Sequence, residues 1–564
     1  MALGVVFILA WVGIGFRLVR VQGFESAKWE DVGESQRVRH EDLAAPRGTI
    51  YDRDGVELAV SIDAVTVTVN PGELKKPEAL ARLLAPRVGV PRSVLRERFT
   101  KPGSQFAYVA RRMDGAAAQE IRDLVMEREI SGVYFETEPK RIYPAGVLAS
   151  QVVGFVRDDD MEGLEGLEVK YDEILAGVPG AQRVERDPYG NPIPQAEVIF
   201  DPAQPGADLI TTIDREIEYA VQQILERALS ETNATSGTVV VLDVGTGEVL
   251  AMATAPSFDP NTFSEADPAT FRNRAVADVY EPGSTLKVVT IAAALEEGVI
   301  SARTTMKVPG TLEIGDKEYT DVGHRKTQEM SVADIVAQSS NVGTILIQNL
   351  VGNQRHHQYL SAFGLGQVAS GDLPAEAAGR LEHFSDWCDT TCGPSTAIGY
   401  RVDVTPLQMA TVFAAIANDG VWVEPHVVRE IISPDGSRER YEPTERPVIS
   451  ERTARTMRRL LRGVVQSGTG SLAAAPSYTV GGKTGTTEKF VPGEGYSEED
   501  RIASFIGIAP INNPRVVVAV VLDSPNGETE DGSDLRFGGV SAAPVFAEVA
   551  EATLHRLGVP PDAR

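Results

Sequence analysis

A chain of 564 residues exceeds what one hydrophobic core can organise, so at least two domains are expected, one of them large. Apolar residues make up 42% and charged residues 24%, close to the globular mean, which argues against wholesale disorder and against a polytopic membrane protein. With 54 basic against 80 acidic residues the formal charge is −26; such a chain repels phosphate backbones, and no basic stretch is long enough for a nucleic-acid footprint, so nucleic acid is set aside as a partner.

From Ala2 to Phe16 every residue is apolar or Gly, and Leu18, Val19 and Val21 extend the run past Arg17 and Arg20. That length crosses a hydrocarbon core, with the two arginines able to snorkel at one end, and predicts an uncleaved transmembrane anchor over 1–22. A signal peptide fits less well, since no basic region precedes the run and no small-residue cleavage site follows. The positive-inside rule would hold Arg17 and Arg20 in the cytoplasm, yet a bulky C-terminal domain can translocate regardless.

Residues 23–205 mix short β-rich runs, VTVTVNP at 65–71 and GVYFETEP at 132–139, with charged helical stretches such as 116–129, and predict an irregular α+β domain. Two prolines and a glycine in FDPAQPGAD (200–208) place a boundary near 205. A second domain over 206–560 opens with a helix at 214–231, for which Asp214 is the expected N-cap. A hairpin turning at Val244–Gly247 follows, and the chain closes with two strand-like runs (501–510, 515–523) and a helix over 542–558. Cys388 and Cys392 are the only cysteines. In an oxidising compartment they read as a local disulfide; a metal site would need two further ligands, for which only His383 and Asp386 lie near, and a reduced pair is the third reading.

Three motifs in the second domain carry chemistry. EPGSTLK (281–287) sets Ser284 and Lys287 one helical turn apart, facing the same way. A serine hydroxyl needs a base, and lysine serves only when neutral; lowering its pKa from about 10.4 to near 7 represents about 5 kcal/mol of bias against the charged form. Alone, the spacing is a weak signal and reads as an N-capped helix with an exposed lysine. QSSNVGT (338–344) offers the Ser339 hydroxyl as a proton relay and the Asn341 amide for a substrate peptide group, or else a polar helix-to-loop junction. TVGGKTGTTEK (479–489) offers Lys483 as a second cation and Thr484 and Thr486 as carboxylate ligands around Gly485, or else a glycine-rich strand edge.

In this order and at these separations the three motifs resemble those of the penicillin-binding protein and serine β-lactamase superfamily. No G-x-S-x-G elbow competes, and the seven histidines form no metal-ligand pattern. In the first domain PRGTIYDRDGVELA (46–59), RIYPAGVLASQVVGFV (141–156) and GLEGLEVKYDEIL (163–175) are similar to signatures of the class B members, the monofunctional peptidoglycan transpeptidases. The chain is more similar to the division-specific, FtsI-like type than to the elongation-specific type, which is the alternative. A hydrolytic β-lactamase or carboxypeptidase and a non-enzymatic β-lactam sensor are remoter readings.

The resemblance implies a multidomain α+β protein. A single transmembrane helix leads into an irregular pedestal, then a transpeptidase domain with an antiparallel sheet flanked by helices and a helical subdomain. It implies that Ser284 attacks the carbonyl between the last two D-alanines of a stem peptide and Lys287 takes its proton. Ser339 passes a proton to the departing D-alanine, Asn341 holds the donor backbone and Lys483 tunes the electrostatics. Thr484, Gly485 and Thr486 bind the donor carboxylate or a β-lactam, and an amine of a second strand resolves the acyl-enzyme. Backbone N–H groups of Ser284 and Thr486 would form the oxyanion hole, each worth on the order of 3 kcal/mol. No metal or organic cofactor is implied. The implied partners are peptidoglycan stem peptides, β-lactams, a membrane-embedded FtsW-like (SEDS-type) glycan polymerase and other division proteins. The implied location is the cytoplasmic (inner) membrane, with the catalytic domain on its periplasmic or extracellular side. Arg401, Arg536 and Phe537 depart from the family pattern and are expected at the acceptor side or rim of the cleft.

Overall fold

The computed structural model describes residues 2–26, 28–29, 38–185, 199–323, 326–491, 493 and 495–563. The apolar run forms an α-helix, Ala2–Val19, continued by a π-helical turn, Arg20–Phe24. The 21 residues Gly4–Phe24 are long and apolar enough to cross a membrane. At 1.5 Å per residue they span about 30 Å, one hydrocarbon core.

Two compact units divide the chain. The first comprises Met1–Gly48, Ser61–Lys140 and Glu173–Ala207. Within it, residues 61–69 of a long strand pair antiparallel with Ala107–Met113, and helices Pro77–Val88, Arg92–Phe99 and Gly115–Glu127 cover them. Val67, Leu84, Leu95, Phe99, Val109 and Ile121 form its small core. Asp114 starts the third helix by accepting from the N–H groups of Ala116 and Ala117. A second sheet in this unit sets Gly180–Glu185 between Val38–Leu43 and Ile199–Asp201.

The second unit comprises Thr49–Val60, Arg141–Asp172 and Asp208–Arg564. Its centre is a five-stranded antiparallel sheet in the order Val249–Ala255, Ser236–Asp243, Val516–Asp523, Gly495–Ala509, Gly481–Val491. The expected hairpin is its first pair. Strands Ser236–Asp243 and Val249–Ala255 are buried along their whole length, so both faces need apolar residues and the sequence runs without alternation. On one face lie helix Arg215–Thr232, which buries Ile217, Val221, Leu225 and Ala228 at helical spacing, and the closing helix Ala542–Arg556. Asp214 caps the first, accepting from the N–H groups of Glu216 and Ile217. On the other face lies Pro406–Ala417, buried at all of its 12 positions, with the helical region around it.

Two early segments belong to this unit. Ile50 and Tyr51 pair in parallel with Leu209 and Ile210. Arg141 donates to Glu168 at 2.7 Å with both side chains buried, and Tyr143 exchanges hydrogen bonds with Asn261 at 3.0 and 2.9 Å. The family-like signatures 46–59, 141–156 and 163–175 therefore lie mostly in the unit that carries the cleft.

Candidate active site

Ser284 sits half-buried in a one-turn 3-10 helix, Gly283–Thr285, which runs into the buried helix Lys287–Glu296. Three glycines fix this turn. The Gly283 N–H donates to the Gly399 carbonyl at 3.1 Å, and both glycines have left-handed backbones, φ +53° and +89°. A Cβ on Gly399 would lie 2.0 Å from the Gly283 oxygen, one on Gly283 2.4 Å from Thr487 Cγ2, and one on Gly485 3.0 Å from Thr285 Cγ2. The turn is thereby pressed between the Gly399 segment and strand Gly481–Val491.

Ser339 lies at a junction between helices Val332–Ala337 and Asn341–Val351, in a left-handed conformation with φ +55°. For a serine this costs on the order of 1–2 kcal/mol and persists only when the surroundings over-determine it. They do here. Ser340 caps the second helix, accepting from the Gly343 N–H, and donates to the buried Asp321 at 2.7 Å; Asp321 also accepts from the Val342 N–H at 3.1 Å. The strained junction aims the Ser339 hydroxyl between two lysines.

Lys287 Nζ donates to Asn341 Oδ1 at 2.6 Å, to the Ser339 carbonyl at 2.7 Å and to Ser339 Oγ at 3.3 Å. Asn341 Nδ2 donates to the Thr320 carbonyl at 2.9 Å, which orients the amide oxygen towards the lysine. From the opposite side Lys483 Nζ reaches Ser339 Oγ at 2.8 Å and the Thr484 carbonyl at 3.2 Å. Lys287 and Lys483 are both buried. Burial holds the Lys483 ammonium well below the usual lysine range, and the nearby charge of Lys287 pushes it the same way. Thr484 shares a hydrogen bond with Thr469 at 2.7 Å, and Thr486 Oγ1 accepts from the Gly538 N–H at 3.0 Å.

Hydrogen bonds thus join Lys287, Ser339, Asn341, Lys483 and Thr484, while the packed turn and strand place Ser284, Gly485 and Thr486 beside them. Cys388 and Cys392 form a disulfide, Cα–Cα 5.3 Å, outside this cluster. The bridge stands at the start of the short helix Cys392–Ala397, which leads into Gly399. Asp321 and Thr469 are not recognisable from sequence, because no local pattern marks a loop residue that supports a distant junction.

Beside the strand, a cavity of about 840 Å³ is lined by Glu281, Arg380, Arg401, Glu488, Lys489 and Tyr496 among others. Charges here come in pairs: Arg401 with Glu382, Arg380 with Asp403, Lys489 with Asp523, Arg274 with Asp278. Arg401 also donates its backbone N–H to Glu281 at 2.8 Å, and Tyr496 donates to the other oxygen of that carboxylate at 2.9 Å. Arg536 is paired with Asp534, and Phe537 is exposed.

The chain matches the penicillin binding protein transpeptidase domain over residues 237–551 and the penicillin-binding protein dimerisation domain over residues 42–211. It is 35% identical to the probable peptidoglycan D,D-transpeptidase PenA of Neisseria meningitidis, over 94% of this chain and 88% of the relative. It is 30% identical to the peptidoglycan D,D-transpeptidase FtsI of Escherichia coli, over 94% and 87%. Among solved structures, penicillin binding protein 3 of Mycobacterium tuberculosis complexed with aztreonam superposes with a TM-score of 0.73 at 31% identity, covering 93% of this chain and 98% of that one.

Proposed function

This chain belongs to the class B penicillin-binding proteins and is a peptidoglycan D,D-transpeptidase, and from that premise we propose that it crosslinks septal peptidoglycan during division through a Ser284 acyl-enzyme that β-lactams trap. The observation that carries the site assignment is the Ser339 hydroxyl held between two buried lysines, one of them a helical turn from a constrained serine.

A neutral lysine amine has two N–H groups and one lone pair. The bonds of Lys287 to Asn341 Oδ1 and the Ser339 carbonyl fix its Nζ one helical turn from Ser284, where the neutral amine takes a hydroxyl proton. Ser284 Oγ then bonds to the carbonyl carbon of the amide between the last two D-alanines as its proton passes to Lys287. The C–N bond breaks, and the departing D-alanine amine takes a proton through Ser339, whose oxygen Lys483 holds. The acceptor amine reverses these transfers: its nitrogen bonds to the acyl carbon, the ester C–O bond breaks, and its proton returns to Ser284 Oγ. The N–H groups of Ser284 and Thr486 carry the oxyanion, Asn341 holds the donor backbone, and Thr484, Gly485 and Thr486 bind its carboxylate.

The 1–22 anchor holds the protein in the cytoplasmic membrane, with the 23–205 pedestal and the 206–560 transpeptidase domain on the outer side, where Cys388 and Cys392 stay oxidised. A crosslinking enzyme needs nascent strands delivered to it, so an FtsW-like polymerase is the proposed partner of the anchor and pedestal. Recovery of that polymerase with the catalytic half alone would sink that assignment.

Fluorescent penicillin with peptide mass mapping tests the chemistry: the adduct is expected on Ser284 and absent from Ser284→Ala, and labelling of the variant would move the nucleophile elsewhere. Depletion tests the role. Filaments are expected; rounded cells would assign the enzyme to elongation.

A further inference from the structure

In a chain of charge −26, helix Glu451–Ser467 carries five arginines, at 452, 455, 458, 459 and 462, and a single acid, Glu451. Its other face buries Ala454, Met457, Leu461, Val464 and Val465 at helical spacing, so the arginines are confined to one side. Arg458 is occupied by the fold itself, donating to the Ile416 and Ala417 carbonyls and to Asp419. Three of the others converge on a cavity of about 320 Å³, where Arg452, Arg455 and Arg459 meet Arg303 from the adjoining loop above an apolar floor of Leu295 and Ile300.

The acids near this cavity do not balance it. Glu451 pairs with Arg455, and Glu296 feels the charge of Arg452 while accepting from Ser450. Among the described residues Arg459 bonds the Thr456 hydroxyl and no acid, and Arg303 has no acid partner. This differs from the cavity beside the catalytic strand, whose cations are matched with acids. Two guanidinium groups left over in an acidic protein attract an anion. Their forks, converging from separate elements, favour an anion with several oxygens over a planar carboxylate, which a single fork can satisfy.

We propose that this cavity is a binding site for a phosphate ester, with Arg303, Arg452 and Arg459 on its oxygens and its organic part over Leu295 and Ile300. Either a soluble phosphate ester or a phospholipid headgroup would present that group. The site is separate from the catalytic lysines and makes no demand on them.

The test uses the full chain in uncharged maltoside micelles, which carry no phosphate, titrated with glycerol 1-phosphate, and in nanodiscs containing phosphatidylglycerol. Hydrogen exchange over residues 451–459 and calorimetry report binding, and covalent penicillin labelling reports folding. Protection by the soluble ester is expected, with affinity at least tenfold weaker in Arg303→Gln/Arg459→Gln and falling as salt is raised; protection only in the anionic discs would establish the site with a lipid headgroup as its source. Arg303→Lys, which keeps the charge and loses the fork, should fall between. No protection by either form, equal binding by the double variant, or stronger competition by a glutamate-rich peptide than by the ester would each overturn the proposal. If the double variant fails to label, Arg303→Gln alone carries the same expectation at a smaller loss.

Discussion

Two sets of cations flank strand Gly481–Val491, and they differ in what opposes them. On the buried side Lys483 meets a hydroxyl and a carbonyl and has no carboxylate partner among the described residues. On the open side Arg380, Arg401 and Lys489 each lie against an acid. An exposed ion pair is screened by water and is worth about 1 kcal/mol or less, so it fixes a loop and changes little else. A buried cation without a counter-charge is held towards its neutral form, and that is the form able to exchange protons with a serine.

The largest effects are expected on the buried side. Lys287→Ala should slow acylation by a β-lactam by about 10²- to 10⁴-fold, the range of general-base loss; stopped-flow acylation at the parent rate would remove Lys287 as the base. Lys483→Met should also lose acylation, but without loss of stability. The folded protein holds the Lys483 pKa below its unfolded value, so it binds fewer protons than the unfolded chain, and parent stability rises with pH between the two. The variant should therefore melt at or above the parent temperature at pH 7, with its margin narrowing towards pH 10. A large destabilisation at pH 7 would show that Lys483 is compensated after all.

Glu218 extends the comparison to an acid. It is fully buried in helix Arg215–Thr232; one oxygen accepts from the Met252 N–H at 2.7 Å and the other has no partner among the described residues. Burial pushes its carboxyl up to about 7. With an unfolded value near 4.3, the parent loses on the order of 3 kcal/mol as pH rises from about 4 through 7, because above 7 the folded chain must bury the charge. Denaturant melts of Glu218→Gln should match the parent's pH slope less that component, with the variant relatively more stable at pH 8 than at pH 5. Parallel slopes would refute the assignment. The smallest effect is expected on the open side: Arg401→Ala should change stability by under about 1 kcal/mol and acylation by only a few-fold.

Local sequence made much of the cleft legible. Ser284 and Lys287 share a helical turn, and the Asp214 cap and the Val244–Gly247 turn are short-range features that a few residues specify. What stayed hidden was long-range. Nothing in DVGHRK marks Asp321 as the support of the Ser339 junction, since its partners Ser340 and Val342 lie beyond an intervening strand and helix. The compact units also interleave. A single cut near 205, where composition changes, separates Thr49–Val60 and Arg141–Asp172 in sequence from the rest of the compact unit to which they belong. Composition along a chain reports where polar, turn-forming residues gather, and it is silent on which distant segments share a core.

With Ser284 as the proposed nucleophile and β-lactams as the proposed inhibitors, the three glycines around the Ser284 turn restrict how the cleft can change. At 283, 399 and 485 even one added methyl group would collide with the opposite wall, so the surface nearest the nucleophile is closed to substitution. Variants that discriminate between a β-lactam and a stem peptide must arise further out, at positions such as Arg401 and Phe537, where side chains meet solvent and have room to differ. Adaptation of the cleft is thereby steered to its margin, and an inhibitor that makes its contacts against the glycine-walled turn addresses the part of the protein least able to evolve away from it.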